Sequence, residues 1–257
     1  MLFLLSPAKA LDYDTPVASD VPHTQPLFIR QSSELIEVLR QKTPAEIAQL
    51  MHLSDALSTL NVARYAAWSP RFTGKNSKQA VLAFDGDVYG GLDARSLSAK
   101  ELDWAQNHIC ILSGLYGVLR PLDRTQPYRL EMGTRLPTDK GSNLYKFWGS
   151  QIADYLNERQ KDVKTPIIVN LASQEYFKSV DRKVLNARVI ECVFEDYKAG
   201  QYKVISFLAK RARGLMARYA VQHRVTTPGG LEGFDLEGYG FAAAASEPDR
   251  LVFRRQR

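Results

Sequence analysis

Along the chain, short runs of aliphatic residues alternate with stretches in which apolar side chains recur every three or four positions. The runs LFLL (Leu2 to Leu5), AVLAF (Ala80 to Phe84), ICILS (Ile109 to Ser113), IIVNL (Ile167 to Leu171) and RVIECVF (Arg188 to Phe194) are each bounded by turn residues. Runs of this length and composition predict strands buried on both faces. Helical spacing marks Leu35, Ile36 and Leu39 in one helix, Leu144, Trp148, Ile152 and Tyr155 in another, and Phe207 to His223 in the longest. Strands interspersed with helices predict a mixed α/β fold, a central mixed sheet flanked by helices and parallel in at least part. The polar, Pro-rich stretch Asp12 to Phe28 reads as an extended surface segment between the first strand and the first helix. No linker, repeat or low-complexity tract divides the chain, so residues 1–257 read as one domain.

The stretch Ile47 to Trp68 has helical period twice, with a break at His52 and Leu53. Thr43, Pro44 and Glu46 have the spacing of an N-cap, a first helical position and a capping-box acid, and they predict a helix that buries Ile47, Leu50 and Met51. Ser54 is placed to cap a second helix that buries Leu57, Leu60, Ala63 and Ala67. Residues 44–68 thus form a helix-hairpin-helix-like pair. One reading is two antiparallel helices covering a sheet. The other is a phosphate grip, in which helix-terminal N–H groups hold a nucleic-acid backbone.

Composition bears on that choice. The 257 residues carry a formal net charge of +6, which favours an anionic partner. Much of the excess is concentrated: between Asp196 and Glu232 there is no carboxylate, while Lys198, Lys203, Lys210, Arg211, Arg213, Arg218 and Arg224 lie in that span. On a helical wheel Leu208, Ala212, Leu215, Met216 and Tyr219 fall on one face and Lys210, Arg211, Arg213 and Arg218 on the other. Gly214 falls among the charges. A glycine there reads as room for a ligand to approach the backbone, and predicts that Gly214→Ala leaves the helix intact or firmer. The alternative for this helix is a solvated charged face.

Other chemistry is sparser. The two cysteines, Cys110 and Cys192, are far apart and read as reduced, buried thiols. His23, His52, His108 and His223 show no metal-ligand spacing, so no metal site and no cofactor are assigned; Asp85 and Asp87 offer a weak cation site. No segment approaches the roughly 20 apolar residues of a membrane span, and the N-terminal run is too short for a signal sequence. The chain reads as soluble and cytosolic, without a membrane partner. Polar clusters follow several predicted strand ends, where α/β folds place ligands. From these a second candidate emerges, a pocket for a small or nucleotide-like substrate built from Lys9, Tyr116, Arg129, Glu131 and Lys210. For SGLYGVLRP (Ser113 to Pro121) the competing reading is a glycine-rich turn with Tyr116 packed inside.

Taken together, SPAKALDYDTP, FDGDVYGGL, LSGLYGVLRPLDRTQPYRLEMGTRL, LYKFWG, VNLASQEYFKSV and KVISFLAKRARGLMARYAVQHR resemble the YaaA family of peroxide-stress-resistance proteins almost end to end. That resemblance implies a cytosolic bacterial protein that limits hydrogen peroxide damage by keeping unincorporated iron low. It also implies a mixed α/β fold outside the common superfolds, with a helix-hairpin-helix element and a basic surface suited to DNA. The stretch Ile47 to Ser54 resembles the helix-hairpin-helix motif of DNA repair and nucleotide-processing proteins, in which an apolar hairpin residue sits between two small residues, usually glycine. Here Leu53 is the apolar residue, and His52 and Ser54 stand in the glycine places. The residues expected to contact DNA are His52, Leu53, Ser54, Arg64, Lys75, Lys210, Arg211, Arg213 and Arg218.

Overall fold

A computed structural model describes residues 1–256. In chain order its strands are β1 (Leu2–Leu5), β2 (Ala10–Leu11), β3 (Lys78–Gln79), β4 (Phe84–Asp85), β5 (Ile109–Ser113), β6 (Gly117–Leu119), β7 (Arg124–Thr125), β8 (Ile167–Asn170), β9 (Arg188–Lys198), β10 (Gln201–Lys203), β11 (Gly240–Phe241) and β12 (Arg250–Arg255). The α-helices are α1 (Ile29–Arg40), α2 (Pro44–Met51), α3 (Asp55–Ala67), α4 (Ala80–Ala83), α5 (Asp87–Leu92), α6 (Ala99–His108), α7 (Leu144–Trp148), α8 (Gln151–Arg159), α9 (Gln174–Phe177) and α10 (Ser206–His223).

A mixed sheet of eight strands runs in the order β11-β12-β9-β8-β1-β5-β6, with β10 paired to β9. The stretch from β12 through β9, β8 and β1 to β5 is parallel, and the hairpin strands β6, β10 and β11 pair antiparallel. Parallel strands need both faces covered. Accordingly Phe3, Leu4, Leu5, Ile111, Ile168 and Val169 are fully buried beneath helices. The chain lays β5 on one side of β1 and later β8 on the other, so the direction of strand addition reverses at β1. Ligands of open α/β sheets bind outside the carboxyl ends of strands at such a reversal.

Four of the five predicted strand runs are strands, and β9 continues to Lys198. The run Ala80 to Phe84 is instead a single helical turn, Ala80–Ala83, between the two-residue strands β3 and β4. It is buried throughout, so its apolar run carries no period to separate helix from strand. The helix expected from Leu144 to Tyr155 is two, α7 and α8, because Gly149 adopts a positive φ of 49° at the end of α7. The C-terminal strand β12 escapes the hydrophobic pattern because its sequence is rich in arginine. Its Arg255 is nonetheless buried, and Arg255 Nε donates to Asp196 Oδ1 of β9 at 2.7 Å.

The helix pair is present with the predicted caps. Thr43 Oγ1 accepts from Glu46 N–H while Glu46 Oε2 accepts from Thr43 N–H, closing the capping box, and Ser54 Oγ accepts from Leu57 N–H. Ile47 and Met51 are buried on α2, with Leu50 partly covered. The predicted face of α3 is reversed. Leu57, Leu60, Ala63 and Ala67 are exposed, and Ser58, Asn61 and Tyr65 are buried. Polar groups pack inward here because each finds a local partner: Ser58 Oγ donates to the Asp55 carbonyl, Asn61 Nδ2 to that of Leu57, and Tyr65 Oη to that of Arg129. Burial without an unsatisfied group carries little penalty.

Gly214, too, stands elsewhere than the helical wheel places it. It lies buried where α10 crosses α5, not among solvated charges. A Cβ at Gly214 would stand 1.8 Å from the Val88 carbonyl oxygen, and one at Gly91 would stand 2.3 Å from that of Arg211. Two glycines facing each other let the helix backbones touch.

Candidate nucleic-acid groove and strand-end pocket

At the carboxyl ends of β1 and β8, where strand order reverses, lies a pocket of about 450 Å³. Ser6 to Ala10 leave β1 along one wall, and Leu171, Ser173 and Tyr176 leave β8 along another. Asp85 to Tyr89 and the α10 residues Lys210 and Arg213 close it. The two strand-end loops are tied together: Ser173 N–H donates to Ser6 Oγ at 2.9 Å, and Tyr89 Oη donates to the Ser6 carbonyl at 3.0 Å. Burial raises the hydroxyls of Tyr89 and Tyr176 well above the ordinary tyrosine value, so both stay protonated as hydrogen-bond donors.

Four carboxylates, Asp85, Asp87, Glu131 and Glu175, line the pocket beside its cations, and of these Glu131 is ion-paired. Glu131 meets Lys9 Nζ at 3.0 Å and Arg129 Nη2 at 2.9 Å. Glu131 reaches this position because its loop passes very close to the end of β5. A Cβ on Gly114 would lie 2.2 Å from the Leu130 carbonyl oxygen, so only glycine admits the loop there. Arg213 is half-buried, and burial lowers its pKa. Among the described residues it has no carboxylate within ion-pair distance. A guanidinium that has lost water without gaining a counter-ion favours an anionic ligand.

Of the five residues expected to build a small-substrate pocket, Lys9, Glu131 and Lys210 line it. Arg129 acts from behind, holding Glu131. Tyr116 is fully buried elsewhere: its hydroxyl accepts from Trp68 Nε1 at 2.9 Å and Gln126 N–H at 3.2 Å, and burial pushes its pKa up to about 12. It is a core residue of the glycine-rich turn. Arg213, Ser6 and Ser173 are pocket residues that the five did not include. The runs LFLL and IIVNL carried a signal for the two serines, since each follows a central parallel strand.

The hairpin borders a second, adjoining recess. His52 and Leu50 line it on one side and Arg135, Gly133 and Thr134 on the other, and Glu131 and Glu175 line both it and the strand-end pocket. His52 takes the left-handed conformation, φ 52° and ψ 52°, that glycine adopts at least cost. Both His52 N–H and Leu53 N–H turn back to the Ala48 carbonyl, so the hairpin proper offers no free donor. Donors remain one step later, at the first turn of α3, where the N–H groups of Asp55 and Ala56 precede any intrahelical acceptor. Glu175 accepts from Gly133 N–H at 2.9 Å, which steadies the floor between the two recesses.

The other cations are distributed differently from the helical wheel. Arg211 pairs with Glu237 and Arg218 with Asp93, while Arg218 Nη1 also donates to the Leu92 and Asp93 carbonyls at 3.1 Å. The acids missing from the local sequence come from segments that pack beside α10. Lys210 and Arg213 therefore remain as the α10 cations at the pocket. Arg64 and Lys75 line a separate cleft beyond the far end of α3. Among the described residues no three His, Cys, Asp or Glu side chains cluster as metal ligands. Cys110 and Cys192 are buried, and burial pushes each thiol up to about 12. No helix among the described residues is long and apolar enough to cross a membrane.

Residues 1–245 match the family described as Peroxide stress protein YaaA. Relatives similar over full length include UPF0246 proteins of Polaromonas sp. (strain JS666), 70% identical over 100% of this chain and 99% of its own length, and of Paracidovorax citrulli, 70% identical with the same coverage. A UPF0246 protein of Bordetella pertussis is 67% identical over 100% of this chain and 99% of its own.

Proposed function

We propose that this chain, which belongs to the peroxide stress protein YaaA family, serves that stress response by holding DNA through its phosphates without reading base sequence. The observation that carries this reading is the continuity of two features found independently in the sequence. The hairpin recess at His52 and the pocket edge at Lys210 and Arg213 share Glu131 and Glu175 as common lining. A phosphate backbone laid along these recesses passes the hairpin at His52, just ahead of the free N–H groups of α3 in the chain, and meets the α10 cations at the other end. Between them Glu131 is neutralised by Lys9 and Arg129, whereas Glu175, held by Gly133 N–H, has no cation partner among the described residues and opposes the phosphate, so the α10 cations and the N–H groups must outweigh it. N–H groups, lysine and arginine bind phosphate oxygens and fix position without selecting bases. Covering the duplex in this way would limit peroxide damage to DNA, in keeping with the peroxide-stress role of the family. Fluorescence anisotropy with two duplexes of unrelated sequence tests the reading. Similar affinities at low salt are expected; no binding at low salt, or a strong preference for one sequence, would sink it.

A second reading is favoured by Arg213 and by the place of the pocket at the strand reversal: a small, nucleotide-like anion is bound and transformed there, beside the Lys9–Glu131 pair. Under that reading a nucleotide-sized anion saturates the protein and is lost on Arg213→Gln, while duplex DNA fails to compete with it.

A further inference from the structure

A third cavity, of about 650 Å³, lies where the segment Thr15 to Val21 folds against the C-terminal end of α3 and the strand pair β3–β7. It shares no lining residue with the hairpin recess or the strand-end pocket. Four cations border it, Arg64, Lys75, Lys78 and Arg124, and among its described lining residues there is no aspartate or glutamate.

One of the four is accounted for. Lys78 is 5% exposed, and its Nζ donates to the Asp12 and Thr15 carbonyls and pairs with the Asp12 carboxylate at 3.4 Å, so it braces the wall. The other three have no carboxylate partner among the described residues. Arg64 is half-buried, and Asn61 Oδ1 accepts from its Nη1 at a long 3.4 Å. Arg124 Nη1 donates to the Ser77 carbonyl at 3.1 Å, whereas its buried Nε has no acceptor. Lys75 is exposed at the rim. Cations drawn together in a partly desolvated cleft repel one another, and a buried donor without an acceptor is costly. A dianion in the cleft relieves the repulsion. The volume suits a small ligand and is within the usual range of small-molecule sites.

We propose that this cleft binds a phosphate monoester of small-metabolite or nucleotide size, its phosphoryl oxygens held by Arg64, Arg124 and Lys75. The binding is distinct from the DNA grip proposed above, because the cleft and the groove have no residue in common. The shared chemistry is a phosphoryl group, which could come either from a free monoester or from a nucleic-acid backbone, and the experiment separates the two.

Isothermal titration at low salt with inorganic phosphate and with adenosine 5′-monophosphate is compared for the wild type, Lys75→Gln, and Arg64→Gln with Lys75→Gln. Monoester binding should weaken severalfold in the single variant and by about tenfold or more in the double variant, as expected on losing charge-assisted hydrogen bonds. Excess duplex oligonucleotide should leave the monoester bound. Thermal melts establish folding, and the exposed Lys75→Gln keeps the test open if the double variant is unstable. Absence of monoester binding, binding indifferent to Lys75→Gln in folded protein, or displacement of the monoester by duplex would each overturn the proposal. Failure here leaves the DNA reading standing, since that reading depends on Ser54, Lys210 and Arg213.

Discussion

Replacing Gly214 by alanine tests the crossing of α5 and α10, which forms one side of the strand-end pocket. The added methyl would lie 1.8 Å from the Val88 carbonyl oxygen, 2.7 Å from its carbonyl carbon and 2.9 Å from Leu92 N. All three are backbone atoms, so no side-chain rotation relieves the overlap. Ordinary carbon–oxygen contacts are about 3.3 Å or longer, which requires the helices to part by about 1.5 Å at this point. Alanine's better helix propensity contributes about 1 kcal/mol in the opposite direction. Overpacking of a tight core typically costs about 1–3 kcal/mol and occasionally more. A rigid backbone contact belongs at the upper end, so the net loss should be about 2 kcal/mol. For a chain of this size that lowers Tm by about 4–8 °C. Parting α10 from α5 also moves Lys210 and Arg213 away from Asp85 to Tyr89, so ligand affinity should fall in protein that is still folded. Differential scanning calorimetry and circular dichroism measure the stability. An unchanged or raised Tm would refute the close crossing and restore the solvated glycine that the helical wheel suggested.

Ser54→Ala removes the cap of α3 and should cost about 1 kcal/mol of stability in a urea melt, with the first turn of α3 losing amide protection before the rest of that helix. The thiols of Cys110 and Cys192, with pKa values pushed up to about 12 by burial, should resist iodoacetamide and hydrogen peroxide in the native protein and react once it is unfolded in guanidinium, because thiolate is the reactive form; rapid native labelling would show that either site opens. Burial holds the pKa of His108 below its ordinary 6.5, and its ring stacks on Trp104 at 4.0 Å. The unfolded chain therefore takes up this proton first, so stability is full above pH 6.5 and declines as pH falls from there toward the folded pKa. His108→Gln should flatten that part of the stability–pH curve, and a curve of unchanged slope would remove His108 as its source.

How much of this was legible depends on whether a residue's role was local. Capping at Thr43 and Ser54 is a matter of three or four consecutive residues, and both caps formed as read. The central strands declared themselves because parallel strands must be apolar on both faces. Features decided by distant segments were misread. Leu57 and Leu60 looked like the core face of α3, but Ser58, Asn61 and Tyr65 find carbonyl partners and take the inside. Arg211 and Arg218 looked free because Glu237 and Asp93 are remote in sequence. Gly214 looked open because its reason, Val88 and Gly91 of α5, lies more than a hundred residues away. At the candidate site Lys9 and Glu131 were found in polar clusters after strand ends, and Lys210 on the basic helix. Arg213 was placed on the basic face, but its isolation from carboxylates became visible only in three dimensions.

The central claim is that the hairpin side and the α10 side of one groove hold a phosphate backbone, and the salt dependence of duplex affinity addresses it most directly. Titrating wild type, Lys210→Gln and Ser54→Ala against one duplex over a range of sodium chloride should give a linear fall of log affinity with log salt. Lys210→Gln should reduce the slope by about 0.9, the value for one released counterion. Ser54→Ala should weaken binding beyond its effect on stability while leaving the slope nearly unchanged, since it alters N–H geometry and not charge. Affinity independent of salt, or a wild-type slope retained by folded Lys210→Gln, would contradict the account.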